Sequence, residues 1–114
     1  MVHAVGKNIC ALKTSLYETL ALINSCSLFI AHDGGPAHCA AALDKPTFVL
    51  FGVTDPELVK PCGKKVIVIQ KPHPAMPCYD IYKGVTCSKN VVDEYWKSIR
   101  PAEVMRKIEE HGIR

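Results

Sequence analysis

The sequence predicts an α/β protein in which helices flank a mostly parallel sheet. Short apolar runs alternate along the 114-residue chain with segments of helical periodicity. The runs at residues 28–31, 47–51 and 66–69 are continuously apolar, which is typical of strands buried on both faces. Turns containing Gly or Pro separate them. Alternation of this kind favours a layered, Rossmann-like architecture, and the length fits one domain.

The first elements are a short strand and a helix. The apolar stretch from Asn8 to Leu12 predicts the strand. Ser15 and Glu18 have the spacing of a capping box, which opens a helix that runs to about Ser25. Its apolar positions recur at helical spacing and are expected to pack against the sheet: Leu16, Leu20, Leu22 and Ile23.

The central stretch, residues 28–56, predicts a strand, a turn, an Ala-rich helix and a second strand. The turn is His32-Asp33-Gly34-Gly35-Pro36. Its two glycines let the backbone approach a ligand closely, and Pro36 suits the first helical position. A helix N-terminus carries partial positive charge and free N–H groups, so this turn predicts a phosphate-type anion site. Asp33 either caps the helix or belongs to the ligand site.

The second strand, Thr47–Phe51, leads into a loop that contains Thr54, Asp55 and Pro56. In open α/β sheets, ligands bind outside the carboxyl ends of the strands. The turn at residues 32–36 follows the neighbouring strand and lies at the same edge. We therefore expect the two loops to face one pocket.

The last third of the chain predicts a strand, a long irregular loop and a helix. Val66–Ile69 is a short β-branched run, whereas residues 70–90 contain three prolines and show no periodicity. A final helix is expected from Pro101 to about Glu110, with Gly112 as its stop signal.

Composition excludes several classes of function. The net charge of +3 comes without a basic stripe, which argues against nucleic-acid binding. The N-terminus lacks the apolar core of a signal peptide, and no apolar run approaches a membrane span, so we expect a cytoplasmic protein. Its cysteines are then expected to be reduced, with Cys10, Cys26 and Cys39 behaving as small core residues.

A zinc site is the one metal hypothesis that the sequence offers. Cys62, His73, Cys78 and Cys87 are a ligand set that zinc accepts. No Cys-x-x-Cys pair is present, and the spacings match no standard knuckle. We therefore predict no metal and leave the role of the three cysteines open.

Several separated motifs together resemble one protein family. They are Thr14-Ser15-Leu16 with Glu18, then residues 33–43, then Lys45-Pro46, then residues 51–56. Their order and spacing resemble the C-terminal half of the heptosyltransferases, the family 9 glycosyltransferases that build the lipopolysaccharide core. The resemblance extends from about residue 9 to residue 110.

The resemblance implies one lobe of a two-lobed, B-type glycosyltransferase fold. Residues 1–114 would form a single nucleotide-sugar-binding lobe that holds an ADP-sugar, typically ADP-heptose. By resemblance, the donor diphosphate is bound by Asp33, Gly34, Gly35, Pro36 and His38. The nucleotide pocket and its rim are formed by Leu12, Lys13, Thr14, Thr54 and Asp55.

This chain departs from the family pattern at three points. Gly34 replaces the usual Thr or Ser, so backbone amides must carry the phosphate contact, and Tyr95-Trp96 replaces a Cys-Met pair. The N-terminal lobe, with the acceptor site and the expected general base, has no counterpart here. The catalytic residues are therefore unknown, and this piece alone is expected to be inactive.

The resemblance also implies the partners of the full-length enzyme. It would transfer heptose or a related sugar from an ADP-sugar to a lipopolysaccharide-type acceptor held by the missing lobe. N–H donors at a helix end can stabilise the departing diphosphate, so no metal or other cofactor is required. The location would be the cytoplasm, with peripheral association at the inner face of the inner membrane.

Two other classes of function stay open at this point. One is a nucleotide-sugar epimerase-like enzyme with two similar lobes, against which the Pro-x-His-x-Ala-Ala-Ala run and the trailing Gly-x-Thr-Asp-Pro argue. The other is a non-catalytic nucleotide-binding module. Coding sequence upstream of Met1 would distinguish that module from an enzyme fragment.

Overall fold

The computed structural model describes residues 2–6 and 9–112 and shows an α/β fold. The elements run in the order β1 (Val2–Gly6), β2 (Ile9–Leu12), α1 (Leu16–Ser25), β3 (Phe29–His32), α2 (Gly35–Ala42), β4 (Thr47–Leu50), α3 (Pro56–Val59), β5 (Val66–Ile69), β6 (Tyr79–Asp80), β7 (Gly84–Val85), α4 (Lys89–Ser98) and α5 (Pro101–Glu110).

The central sheet is parallel and has the order β3-β4-β5. Its middle strand is almost entirely buried, as the continuous apolar run predicts. The predicted α/β class, with a parallel sheet between helices, is confirmed. Strand β3 includes His32, which the sequence places in the following turn, and β4 ends at Leu50, one residue earlier than expected.

Two small cores lie on opposite faces of this sheet. On one face, Ala37 of α2 packs with Val49 and Phe51. On the other face, Ile108 of α5 packs with Phe48 and Ile69. Because successive side chains of a strand point to opposite faces, β4 and the residue after it supply both cores, and α2 is fixed against the sheet.

The first strand is correctly predicted, but it does not join the central sheet. Strand β2 pairs antiparallel with β1 in a separate hairpin, and all four of its residues are exposed. Asn8, the predicted start of this strand, lies outside the described residues. Cys10 is exposed rather than a core residue.

Helix α1 has the predicted boundaries and the predicted cap. The Ser15 hydroxyl accepts from the Glu18 amide at 3.2 Å, and the Glu18 carboxylate accepts from the Ser15 amide at 3.0 Å. The Ser15 amide, and after it the Ser15 hydroxyl, lower the pKa of the Glu18 carboxyl group. Ile23 is buried, but Leu16 and Leu22 are exposed, which contradicts the expectation that the whole apolar stripe packs against the sheet.

The segment predicted as one irregular loop contains a hairpin and the start of a helix. Strands β6 and β7 pair antiparallel, and a disulfide between Cys78 and Cys87 joins the ends of the hairpin. The expectation of reduced thiols is therefore wrong for these two residues. Their sulfurs are bonded to each other, so the hypothetical zinc set lacks two of its ligands. Helices α3 and α4 are further elements that the sequence reading missed.

The described helices contain at most ten residues each. Among the residues of known placement, no helix is long and apolar enough to cross a membrane.

Candidate functional site

A cleft of about 400 Å³ lies at the carboxyl end of β3, where α2 begins. Its walls come from the end of the strand and from the turn that follows: Ile30, Ala31, His32, Asp33, Gly34, Pro36 and Leu50. This is the edge of a parallel sheet at which α/β proteins bind ligands. The structure thus brings Asp33, Gly34 and Pro36 together, as the sequence predicts.

The N-terminus of α2 has no side-chain cap. The helix begins at Gly35, and the capping position is Gly34, whose backbone is extended with φ 163°. First-turn amides have no partner within a helix, so Gly34 and Gly35 present N–H donors there, whereas Pro36 has no N–H and Ala37 is fully buried. The end of the helix dipole adds about half a positive charge. This arrangement favours an anion.

Asp33 does not cap this helix, so the first of the two roles considered for it is wrong. Its Oδ2 accepts a hydrogen bond of 2.8 Å from the Thr54 hydroxyl, 21 residues further along the chain. Its own amide donates to the Leu50 carbonyl at 3.3 Å. The two loops that follow β3 and β4 therefore meet, but residues 52–56 do not line this cleft, which differs from the single shared pocket that the sequence predicts.

Nothing in the described protein covers the two glycines closely. A Cβ atom added at Gly35 would meet no heavy atom within 4 Å, and one at Gly34 would approach only the Cδ atom of Pro36, at 3.9 Å. A ligand can thus approach this backbone from outside. A packed side chain over either glycine would have excluded an anion site.

The residues predicted for the nucleotide pocket lie beside this cleft rather than in it. Leu12 lines an apolar groove of about 570 Å³ together with α1 and β3. Ile30 lines both the groove and the cleft, so the two are adjacent. The Thr14 and Thr19 hydroxyls are 2.6 Å apart, and Lys13 is exposed.

Two further predicted residues lie outside the wall of the cleft. Asp55 caps α3, because its Oδ1 accepts from the Glu57 amide at 3.0 Å, and it lines a different cleft. His38 is exposed on α2. Neither residue therefore lines the cleft that contains Asp33.

An aromatic pair on α4 supports the loop that carries Thr54. A Cβ atom added at Gly52 would lie 2.7 Å from Cζ2 of Trp96 and 3.1 Å from Cε1 of Tyr95. The Trp96 ring also lies against His32, with ring centroids 6.1 Å apart. Sequence reasoning named neither His32 nor Trp96 as a site residue, because α4 follows a proline-rich loop and was not predicted.

The Tyr95 hydroxyl joins the ends of two parallel strands. It donates to the Phe51 carbonyl after β4 and accepts from the Lys71 amide after β5, at 3.1 Å. Burial raises the pKa of Tyr95, and the bond from Lys71 opposes that rise in part. One side chain thus provides a hydrogen-bond partner for the Phe51 carbonyl and for the Lys71 amide.

This chain matches a known protein family. Residues 2–88 match the model of glycosyltransferase family 9 (heptosyltransferase). The match includes the cleft, the N-terminus of α2 and the loop with Thr54.

Three relatives illustrate the similarity. The chain is 36% identical over 58 residues to lipooligosaccharide heptosyltransferase 2 of Haemophilus influenzae. The aligned stretch covers 51% of this chain and 17% of the relative. The chain is 42% identical over 55 residues to lipopolysaccharide heptosyltransferase 3 of Escherichia coli, with shares of 48% and 16%. For lipopolysaccharide heptosyltransferase 1 of Escherichia coli, the identity is 33% over 60 residues, with shares of 53% and 19%.

The matched stretch spans less than a fifth of the length of each of these relatives. No solved structure matches the chain. The family model, by contrast, covers most of the 114 residues. On that match, this chain belongs to glycosyltransferase family 9, the heptosyltransferases.

Proposed function

We propose that this chain is the donor-binding part of a heptosyltransferase and that it holds the diphosphate of ADP-heptose, or of a related ADP-sugar, at the N-terminus of α2. The observation that carries this proposal is a helix end with no side-chain cap, approached through two open glycines at the carboxyl edge of a parallel sheet. Membership of the family supplies the substrate class.

The backbone amides are the main phosphate ligands in this proposal. Gly34 and Gly35 donate to the diphosphate oxygens, and the helix dipole adds favourable potential. Gly34 has no hydroxyl, so the backbone carries this contact. Lys13 and His38 are exposed on neighbouring segments and supply further donors to the bound phosphates.

Asp33 serves the sugar or ribose rather than the phosphates. A carboxylate repels a diphosphate, and in this structure its Oδ2 is held by Thr54. Its other oxygen remains able to accept from a hydroxyl of the donor. The adenine occupies the apolar groove beside Leu12 and Ile30, which adjoins the cleft.

The reaction that this site would serve is heptosyl transfer. The bond between the anomeric carbon and the diphosphate oxygen breaks, and an acceptor hydroxyl of the lipopolysaccharide core bonds to that carbon. The hydroxyl proton passes to a general base outside the residues of this cleft. The N–H donors of α2 stabilise the charge that develops on the leaving diphosphate, where preorganised donors have their largest effect.

Calorimetry with ADP tests the site on the intact chain. Gly35→Val adds a side chain that meets no protein atom within 4 Å of its Cβ, so the new methyl groups enter the space of the ligand. We expect wild type to bind ADP and the variant to bind about tenfold more weakly or worse, the loss of one or two charge-assisted hydrogen bonds.

A matched control places the same side chain in the first turn of another helix. Ala102 is exposed near the start of α5, so Ala102→Val should leave ADP binding unchanged. Circular dichroism of both variants checks that the total helix content is retained. Equal heats for wild type and Gly35→Val would exclude the proposed site.

A further inference from the structure

The β6–β7 hairpin presents large apolar side chains to solvent. Ile81 and Tyr82, in its turn, are 81% and 93% exposed. Tyr79 and Val85 are cross-strand partners, so they share one face of the hairpin, and each is at least half exposed. Four large apolar side chains within seven residues are thus at least half exposed, and exposed apolar groups clustered in this way mark interaction sites.

Hydrogen bonds and a disulfide fix the backbone of this hairpin. The Asp80 carboxylate accepts from the amides of Tyr82 and Lys83, at 2.8 and 2.9 Å, and so fixes the turn. At the other end, the Cys78–Cys87 disulfide closes the hairpin, and both the amide and the hydroxyl of Thr86 donate to the Cys78 carbonyl. The exposed side chains are therefore presented by a fixed backbone.

The exposed charge at the turn is positive, because Lys83 lies beside Tyr82 and is exposed. The one carboxylate of the hairpin, Asp80, is turned back onto the amides of its own turn. Tyrosine beside an aliphatic side chain and a lysine is the combination that favours the headgroup layer of a bilayer, especially an anionic one.

We infer that the hairpin from Cys78 to Cys87 docks this protein on an anionic lipid surface, with Ile81 and Tyr82 in the headgroup layer and Lys83 on the phosphates. An acidic protein surface is the competing partner, but it would not require so much apolar exposure at the tip of a turn. A bilayer accepts an apolar tip and a cation at once.

The root of the hairpin contacts the loop of the candidate site. The Cys78 amide donates to the Val53 carbonyl at 2.9 Å, and the next residue, Thr54, holds Asp33. Docking would thus keep the donor cleft close to the lipid surface. This benefit rests on the proposed function, in which the acceptor is a saccharide carried by a lipid.

The test is flotation of the intact chain with vesicles. One set contains phosphatidylglycerol and phosphatidylethanolamine, the other only phosphatidylcholine, and neither contains a saccharide. We expect binding to the anionic set, and the double variant Ile81→Ser/Tyr82→Ser should reduce the bound fraction about tenfold, because two large apolar contacts are lost. Lys83→Gln should weaken binding less and should reduce its sensitivity to salt.

The matched control removes an equivalent pair from another surface. Leu16 and Tyr17 of α1 are 68% and 83% exposed, so Leu16→Ser/Tyr17→Ser makes the same chemical change far from the hairpin in sequence. This control should float like wild type. Thermal unfolding of all variants checks that the fold is retained.

Two outcomes would overturn the inference. Wild type that fails to float with anionic vesicles would assign the hairpin to a protein partner instead. Equal loss in the hairpin and α1 variants would show unspecific adsorption. Because these vesicles contain no nucleotide, ADP calorimetry judges the donor site separately, and either proposal can fail while the other stands.

Discussion

At the scale of single residues, the candidate site depends on a few contacts between distant parts of the chain. The Thr54 hydroxyl holds Asp33, and the aromatic pair Tyr95-Trp96 packs on Gly52, two residues before Thr54. Each of these contacts fixes the same loop from a different side. A change at one of them should therefore alter the loop without touching a ligand.

Gly52 is the residue at which this support is tightest. A methyl group there would lie 2.7 Å from the Trp96 ring, so Gly52→Ala forces the aromatic pair or the loop to move. We expect a loss of about 1–3 kcal/mol in the free energy of unfolding, the usual cost of overpacking. Urea denaturation measures it.

Gly35→Ala is the control for that substitution. Its Cβ meets nothing within 4 Å, and alanine favours a helix over glycine, so unfolding should be unchanged or shifted to higher urea. If Gly52→Ala unfolds at the same urea concentration as wild type, the packing of α4 on this loop is not as described.

Tyr95 gives the chain a dependence on alkaline pH. Its pKa is raised because burial disfavours the phenolate. In the unfolded chain, the pKa of tyrosine is about 10. As the pH rises, the unfolded chain therefore loses this proton before the folded state does. The contribution of Tyr95 to the free energy of unfolding is complete below pH 10 and falls as the pH rises above that value. Thermal unfolding from pH 8 to pH 11.5 should show the decline.

Tyr95→Phe supplies the comparison. It leaves the Phe51 carbonyl and the Lys71 amide without their partner, which should cost about 1–2 kcal/mol at neutral pH. The variant should then show a smaller alkaline decline than wild type. Parallel curves for the two proteins would mean that Tyr95 is not the group that titrates.

At the scale of elements, the sequence is a good guide wherever a pattern is local. The capping box of α1, the parallel strands and the start of α5 follow from neighbouring residues, and the structure has them within about one residue of the predicted bounds. The candidate turn is shorter than predicted, because His32 still belongs to β3 and α2 begins at Gly35, one residue before the predicted Pro36.

The elements that were missed lack such a local signal or carry it in an unexpected place. Strands β6 and β7 have two residues each, too short for any periodicity. Helix α4 begins with a Ser88 cap inside a segment whose prolines predict a loop. The role of Asp33 is decided by Thr54, 21 residues away, and no local rule distinguishes that bond from a helix cap.

The disulfide should make a measurable contribution to the free energy of unfolding. The bond joins residues nine apart in the chain, and constraining a loop of that size in the unfolded state stabilises the fold by about 2–3 kcal/mol. Cys78→Ser/Cys87→Ser should lose that amount in urea denaturation. Cys62→Ser, at an exposed free thiol, should lose nothing, and equal curves for both variants would argue against the bond.

At the scale of the whole molecule, the strands described belong to three sheets rather than one. Strand β4 lies in the centre of the parallel sheet and is almost wholly buried, whereas β2 is exposed along its length and pairs only with β1. The sequence could not show this, because an apolar strand before a helix predicts a place in the parallel sheet.

Amide hydrogen exchange tests this arrangement. Amides of β4 open only with the core, whereas those of β2 open with a small exposed hairpin, so we expect β2 to exchange at least about a hundredfold faster. Mass spectrometry of peptic fragments resolves the two strands. Comparable protection would place β2 inside the main sheet instead.

Helix α4 limits how far this chain can be shortened at its C-terminal end. The family match stops at residue 88, yet the rings that brace the Gly52 loop belong to residues 95 and 96. A shortened version cut at residue 88 would lose the rings that support the loop beside the candidate site. A truncated variant made to test the proposed donor site should therefore extend at least through Ser98.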